Sequence, residues 1–230
     1  VLHTARTPRI LYLFCCQGCG SEGYRRAGFE VTGVDIVEQP NYRKAGFAFH
    51  RSDALEFVAR RWGWIRRNFH AVHAAPPCQG YSDCQRIMQR EHPMLIEPVR
   101  GALDGLGLPY VIENVEGARA ELRSPVTLCG AMFTGLHTYR HRLFETGNGF
   151  TLPQPDEPAH LWPIAKMGRP FGEDEFYHAV GNFSGVDKVR REWGVPWANR
   201  DGIREGIPPH YSRWIGTHLY AYLQSSGALA

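Results

Sequence analysis

Short apolar runs that stop abruptly at glycine, proline or an acid recur through the first half of the chain. The first, "RILYLFC" (9–15), runs into "QGCGSEGYRRAGF", a glycine-punctuated stretch followed by helix formers. That texture predicts a strand, a tight loop and a helix. "FEVTGVD" (29–35) predicts a second strand that ends at an acid, and "ALEFVARRW" (54–62) a helix. "FHAVHAAP" (69–76) reads as another strand, and a helix over about 94–104 leads to the strand "PYVIENV" (109–115). Strands alternating with helices predict a parallel sheet covered on both faces, with its chemistry at the carboxyl ends of the strands.

The texture changes beyond 146. Residues 146–187 are rich in proline and glycine, with aromatic and basic residues interleaved. The stretch is too irregular for another strand–helix unit and too aromatic for a disordered linker, so a loop-rich lobe is predicted. Periodicity returns in "DGIREGIPPHYSRWIGTHLYAYL" (201–223), where Asp201 is placed to cap a short helix and Pro208 to open a longer one. Tyr211, Ile215, Leu219 and Leu223 recur every four residues and predict one buried face.

Composition narrows the class. A chain of 230 residues, 43% hydrophobic, is long enough for one large domain or one domain with a small insert. The opening "VLHTARTPRI" has no charged-then-apolar leader pattern and no apolar run approaches a membrane span, so a soluble, cytoplasmic chain is expected. Six cysteines without a secretory pattern argue for reduced thiols. The net charge of +3 is too small to announce a nucleic-acid partner, and clusters such as "ARRWGWIRR" (59–67) read as solvated helix faces.

Three features carry candidate chemistry. Gly18, Gly20 and Gly23 stand where the backbone turns after the first strand and could approach a ligand. Asp35 ends the next strand, at a spacing suited to ribose hydroxyls, and Asp53 in "HRSDAL" could accept a bond from an adenine amino group. A phosphate loop ending in Gly-Lys-Ser/Thr is missing, which argues against an NTPase. Cys16 and Cys19 have C-x-x-C spacing, but no second pair stands at a matching distance, so no metal is expected and the thiols read as loop packing. Finally "AAPPCQGYS" (74–82) puts Cys78 directly after two prolines, which hold its backbone in a defined place. A thiol framed so firmly is a nucleophile candidate.

Taken in order, these segments resemble the C5-cytosine DNA methyltransferases. "PPCQGYS" looks like their nucleophile motif, "ENV" (113–115) their glutamate motif, "TYRHR" (138–142) their Gln-x-Arg-x-Arg motif, and "LFCCQGCGSEGYRRAGF" (13–29) their S-adenosylmethionine loop. The likeness covers about 10–145 and 200–220, and the small size resembles the compact forms encoded by bacteriophages. The resemblance implies an α/β, Rossmann-like methyltransferase sheet over 1–145 and 198–230, with a target-recognition insert at 146–197. It implies S-adenosyl-L-methionine as donor, S-adenosyl-L-homocysteine as product, and double-stranded DNA as partner for a monomer without an obligatory protein partner. Catalysis is then expected at Cys78, Glu113, Arg140 and Arg142, with Arg142 on the base and Arg140 supporting phosphate or the loop. Cofactor contacts are expected from Phe14, Cys16, Gly18, Cys19, Asp35, Asp53, Ala54 and Pro76, and substrate contacts from Pro77, Gln79, Ser82 and Asn114.

The chain also departs from that pattern. Cys16 and Cys19 stand where the family has glycine, Ala74 and Ala75 replace small glycines, and Thr138 replaces the glutamine. The late Gly-Asn-x-Val-Pro motif is "EGIPPHY" here, so Gly206, Ile207 and Pro208 occupy that region without the asparagine amide. These changes leave open ordinary methyl transfer with altered contacts, transfer of a modified donor group or to RNA, and a nucleic-acid binder without turnover. Retention of the cysteine, the glutamate and both arginines favours an enzyme.

Overall fold

The apolar runs become strands because both faces of the sheet are covered, so each strand can be apolar throughout. In a computed structural model, which describes residues 6–81, 92–166, 168–169 and 171–229, β1 (Arg9–Leu13), β2 (Glu30–Asp35), β3 (Ala48–Arg51), β4 (Ala71–Ala74) and β5 (Tyr110–Asn114) pair in parallel. β6 (Val126–Leu128) and β7 (Arg142–Gly147) complete a seven-stranded sheet ordered β3-β2-β1-β4-β5-β7-β6, with β7 antiparallel to both neighbours. The order reverses between β1 and β4, the place where open α/β sheets bind ligands.

The helices are α1 (Cys19–Arg26), α2 (Pro40–Lys44), α3 (Ala54–Asn68), α4 (Ile96–Leu106), α5 (Val186–Trp193), α6 (Arg200–Glu205) and α7 (Pro209–Ser225). Alternation along β1 sends Ile10 and Tyr12 toward α1 and α7, and Leu11 and Leu13 toward α3 and α4. Tyr211, Ile215, Leu219 and Leu223 form the expected buried face of α7. Each such burial contributes about 1.5–3 kcal/mol before ordering entropy, enough to seat the helix.

Several expectations are corrected. The glycines after β1 do different work. Gly18 alone of the three has a positive φ, of 87°, and makes the turn. A Cβ at Gly23 would lie 2.1 Å from Ser212 Oγ and 2.2 Å from the Pro209 carbonyl oxygen, so this glycine lets α1 pack on α7. A Cβ at Gly20 would strike the Tyr12 hydroxyl at 2.3 Å. Asn199, not Asp201, caps α6, its Oδ1 accepting the Gly202 N–H at 3.0 Å. The longer helix begins at Pro209, one residue after Pro208. α3 continues to Asn68 through a kink at Arg61; the arginines of "ARRWGWIRR" are exposed, while Ile65 of the same stretch is buried.

The described part of 146–197 shares the core of the sheet. Phe150, Phe171, Tyr177, Phe183 and Trp193 are buried in one cluster with the apolar face of α7. Polar ties hold it there. Thr138 Oγ1 donates to the Tyr177 carbonyl at 2.8 Å, and Tyr177 N–H to the His137 carbonyl at 2.8 Å. No described helix is long and apolar enough to cross a membrane.

β7, which carries the second arginine of "YRHR", is itself anchored by a buried ion pair. Arg100 of α4 donates to both oxygens of Glu145, at 2.7 and 2.8 Å, with side-chain exposures of 3% and 1%. Glu145 also accepts the Arg123 N–H at 2.7 Å. Glu145→Gln should therefore cost about 3 kcal/mol, the low end of the penalty for breaking a buried ion pair, because Arg100 keeps Glu97 and the Glu121 carbonyl. Urea unfolding of the variant measures it; a loss under about 1 kcal/mol would mean the pair is not what holds β7 to α4.

Candidate functional site

The loops that leave β1 and β4 diverge at the point of strand reversal and line a cavity of about 210 Å³. One wall is the loop after β1. Phe14 and Cys16 have φ of 58° and 45°, left-handed backbone that favours glycine and costs other residues about 1–3 kcal/mol. That conformation accounts for a glycine being expected at Cys16. The loop is held by Asp35 at the end of β2, whose Oδ2 accepts the Cys16 N–H and Oδ1 the Val37 N–H, each at 3.0 Å. Beside it Ile36, 63% exposed, offers an apolar surface to the cavity. Burial pushes the Cys16 thiol up and that of Cys19 to about 12, so both stay uncharged.

Arg204 and Glu205 close the same end together with Gly206 and Ile207. The sequence reading missed this charged pair. Its only signal was position, immediately before the "GIPP" that lacks the expected amide. Burial raises the Glu205 carboxyl, opposed by Arg204.

The opposite wall carries Pro76, Pro77, Cys78 and Gln79, with Glu113 and Arg142 beside them. Cys78 is clamped from both sides. Asn114 donates to the Pro76 carbonyl at 3.0 Å and accepts the Val115 N–H at 2.9 Å. Tyr81 N–H donates to the Cys78 carbonyl at 3.0 Å, while the Tyr81 hydroxyl accepts the Ile96 N–H at 3.1 Å. Asn114 is thus a positioning residue for the cysteine loop.

Register brings the acid and the arginine together. Glu113 pairs with Phe144 across β5 and β7, which makes Arg142 its diagonal neighbour on the same face. Arg142 Nε lies 3.1 Å from Glu113 Oε1. Burial nonetheless raises the Glu113 carboxyl above its ordinary range, against the pull of Arg142 and then Arg140. Burial, followed by the charge of Glu113, also raises the Cys78 thiol, with the two arginines opposing. Burial thus favours the uncharged form of both groups, while the two arginines favour the charged one.

Arg140 is buried, and its guanidinium donates to the carbonyls of Ala179 at 2.9 Å, Gly206 at 2.8 Å and Arg204. It supports the loops around the cavity and is not on the wall. Phe14, Cys16, Cys19, Asp35 and Pro76 of the expected cofactor set line the cavity; Gly18, Asp53 and Ala54 stand off it. Asp53 Oδ1 caps α3 by accepting the Glu56 N–H at 2.9 Å, and Ala54 is buried beneath the sheet. Pro77 and Gln79 are on the wall; Ser82 lies outside the described residues.

The coupling between acid and thiol is measurable without any substrate. Glu113→Gln should lower the pH at which Cys78 becomes reactive, because the negative charge that opposes the thiolate is removed. Arg142→Gln should raise it. Alkylation rates of Cys78 against pH, read by peptide mapping, decide the matter; shifts of opposite sign would refute the arrangement.

No protein-family model matches the chain, and no curated protein does. Its structure is similar to that of the S. pombe Dnmt2 methyltransferase, with a TM-score of 0.59 at 12% identity over 94% of this chain and 99% of that one. It is also similar to a prophage-encoded E. coli protein described as a candidate DNA modification methyltransferase, with a TM-score of 0.55 at 15% identity, again over 94% and 99%. At such identities the likeness speaks for the architecture alone: the chain has the mixed α/β, Rossmann-like fold seen in these two structures.

Proposed function

We propose that the protein transfers a methyl group from S-adenosyl-L-methionine to C5 of a cytosine flipped out of double-stranded DNA. The observation that carries this reading is the meeting of Cys78, Glu113 and Arg142 on one wall of the cavity at the strand reversal. The residues opposite suit the donor. Asp35 has lone pairs beyond its two backbone bonds for a ribose diol, Ile36 offers a surface for a planar ring, and Arg204 with Glu205 complements an amino-acid zwitterion. The neutral thiols of Cys16 and Cys19 add no charge of their own along that wall. The bound donor supplies an electrophilic methyl group on a positively charged sulfur.

Every other task falls to the chain. C5 of cytosine is a weak nucleophile until a thiolate adds at C6. Cys78 gives up its proton to solvent and forms the Sγ–C6 bond as Glu113 donates its proton to N3, drawing electrons out of the ring. The raised Glu113 carboxyl suits that role, and Arg142 steadies the carboxylate that results. After C5 has been alkylated its proton leaves to water, the Sγ–C6 bond breaks, Cys78 departs as thiolate, and N3 returns its proton to the Glu113 carboxylate. The base must leave the duplex for C6 to be reached at all. Because Glu113 acts as an acid, its contribution is present below its raised pKa and is lost as the pH climbs through it.

Incubation with labelled S-adenosylmethionine and DNA of varied sequence should place label in 5-methylcytosine. Its absence there, with calorimetric heat of cofactor binding also absent, would favour a nucleic-acid binder without turnover. DNA carrying 5-fluorocytosine should be trapped covalently only when the donor is present, since fluorine cannot leave as a cation; peptide mapping should find the adduct at Cys78. Trapping through any other cysteine would sink the mechanism. Arg204→Ala should weaken donor binding by about 10–100-fold, as one charge-assisted hydrogen bond contributes about 1.5–3 kcal/mol.

A further inference from the structure

A second cluster of reactive side chains lies away from the cavity, where the strand edge meets the insert. Cys129 follows β6 and is fully buried; its Sγ is 3.3 Å from His160 Nε2. His141, between Arg140 and Arg142 where β7 begins, places a ring nitrogen near both, and the three donor atoms all lie within 4.8 Å of one another. A fourth group completes the set. Glu157 Oε1 is 3.0 Å from His141 Nε2 and 3.9 Å from His160 Nε2.

Zinc–ligand bonds of about 2.0–2.3 Å at tetrahedral angles hold donor atoms about 3.3–3.6 Å apart. The separations here bracket that range. One thiol, two imidazoles and a carboxylate form a borderline-soft set that suits zinc better than the hard cations magnesium or calcium. The surroundings are those of a metal-binding histidine pair. Tyr139 stacks on the His160 ring, with centroids 3.9 Å apart and planes at 24°. Its hydroxyl donates to the Trp162 carbonyl at 2.9 Å and accepts the Trp162 N–H at 2.8 Å, which fixes the turn carrying His160. The far nitrogen of His141, Nδ1, lies 3.9 Å from Glu116 Oε2, which leaves a carboxylate close to the ring but beyond hydrogen-bond distance.

We propose that Cys129, His141, Glu157 and His160 bind one zinc ion, in a closed four-ligand site that fastens the insert to the sheet. Binding takes Cys129 as thiolate and releases its proton to solvent. Two ligands come from the sheet side and two from the insert, so the ion cross-links segments that share little regular secondary structure. The proposal is independent of the methyl-transfer reading. It also explains why a search for paired C-x-x-C motifs finds nothing: the ligands are scattered, and only Glu157 and His160 have a ligand-like local spacing.

The full chain, purified without chelator, should carry one zinc per molecule by elemental mass spectrometry. After chelation, cobalt(II) should restore a tetrahedral visible spectrum with a thiolate-to-cobalt charge-transfer band. His160→Ala, whose ring is 35% exposed, should fold and weaken zinc binding beyond the roughly 10–100-fold that outer-shell changes cost. Cys129→Ser should abolish the charge-transfer band, whereas Cys16→Ser should keep it. Should Cys129→Ser fail to fold, the competition titration of His160→Ala against a chromophoric chelator decides alone. A wild-type chain that binds no zinc at micromolar concentration, an unchanged affinity in His160→Ala, or loss of the metal with Cys16→Ser would each overturn the site.

Discussion

Burying a guanidinium is costly unless its donors find oxygen atoms, and Arg140 finds them for its two terminal nitrogens, though not for Nε, on two separate segments. Its donors reach Ala179 in the insert and both Arg204 and Gly206 at the end of α6, while its own carbonyl accepts the Tyr211 hydroxyl of α7 at 2.6 Å. The cavity depends on that junction. Gly206 and Ile207 form part of its wall, and Arg140, in the segment leading into β7, ties Gly206 in place. The same chain segment then delivers Arg142 to Glu113, so the architecture of the wall and the electrostatics of the acid share one origin.

Inside the cavity, desolvation and charge oppose one another, and desolvation wins at each titratable group for which a direction is clear. Glu113 and Cys78 are both raised by burial although two arginines face them, and Cys16, Cys19 and Glu205 are raised as well. Burial in each case favours the uncharged form of the group. The buried His73 belongs to the same pattern without belonging to the site. Burial lowers it to about 3, and it serves as a neutral ring stacked on Tyr12 and bonded to Tyr24.

The insert shows how a segment with little regular structure becomes ordered. Apart from α5 and one isolated bridge between Ile164 and Phe176, it makes few backbone ladders. Aromatic side chains do the work, burying Phe171, Tyr177 and Trp193 against the face of α7. Buried hydrogen bonds then fix their orientation: Trp193 Nε1 donates to the Tyr177 hydroxyl at 2.7 Å, and that hydroxyl donates to Glu192 at 2.7 Å.

Local pattern was sufficient for four of the five parallel strands, all but β3. β1, β2, β4 and β5 are apolar runs closed by glycine, proline or an acid, and a strand buried on both faces must look like that. The buried face of α7 and the constrained backbone of Cys78 were legible for the same reason, since spacing and proline act within a few residues. β6, three residues long, and β7, which opens on an arginine, carry no such signature; their pairing comes from the sheet edge that β5 leaves free. Residue identity could not tell the turning Gly18 from Gly23, whose missing side chain makes room for Ser212 nearly two hundred positions away. Nor could it bring Arg204 and Glu205 to the loop after β1, or Cys129 to His160. Those distances follow from strand order, register and the packing of α7. They are long-range consequences of closing one core, and no short window of sequence contains them.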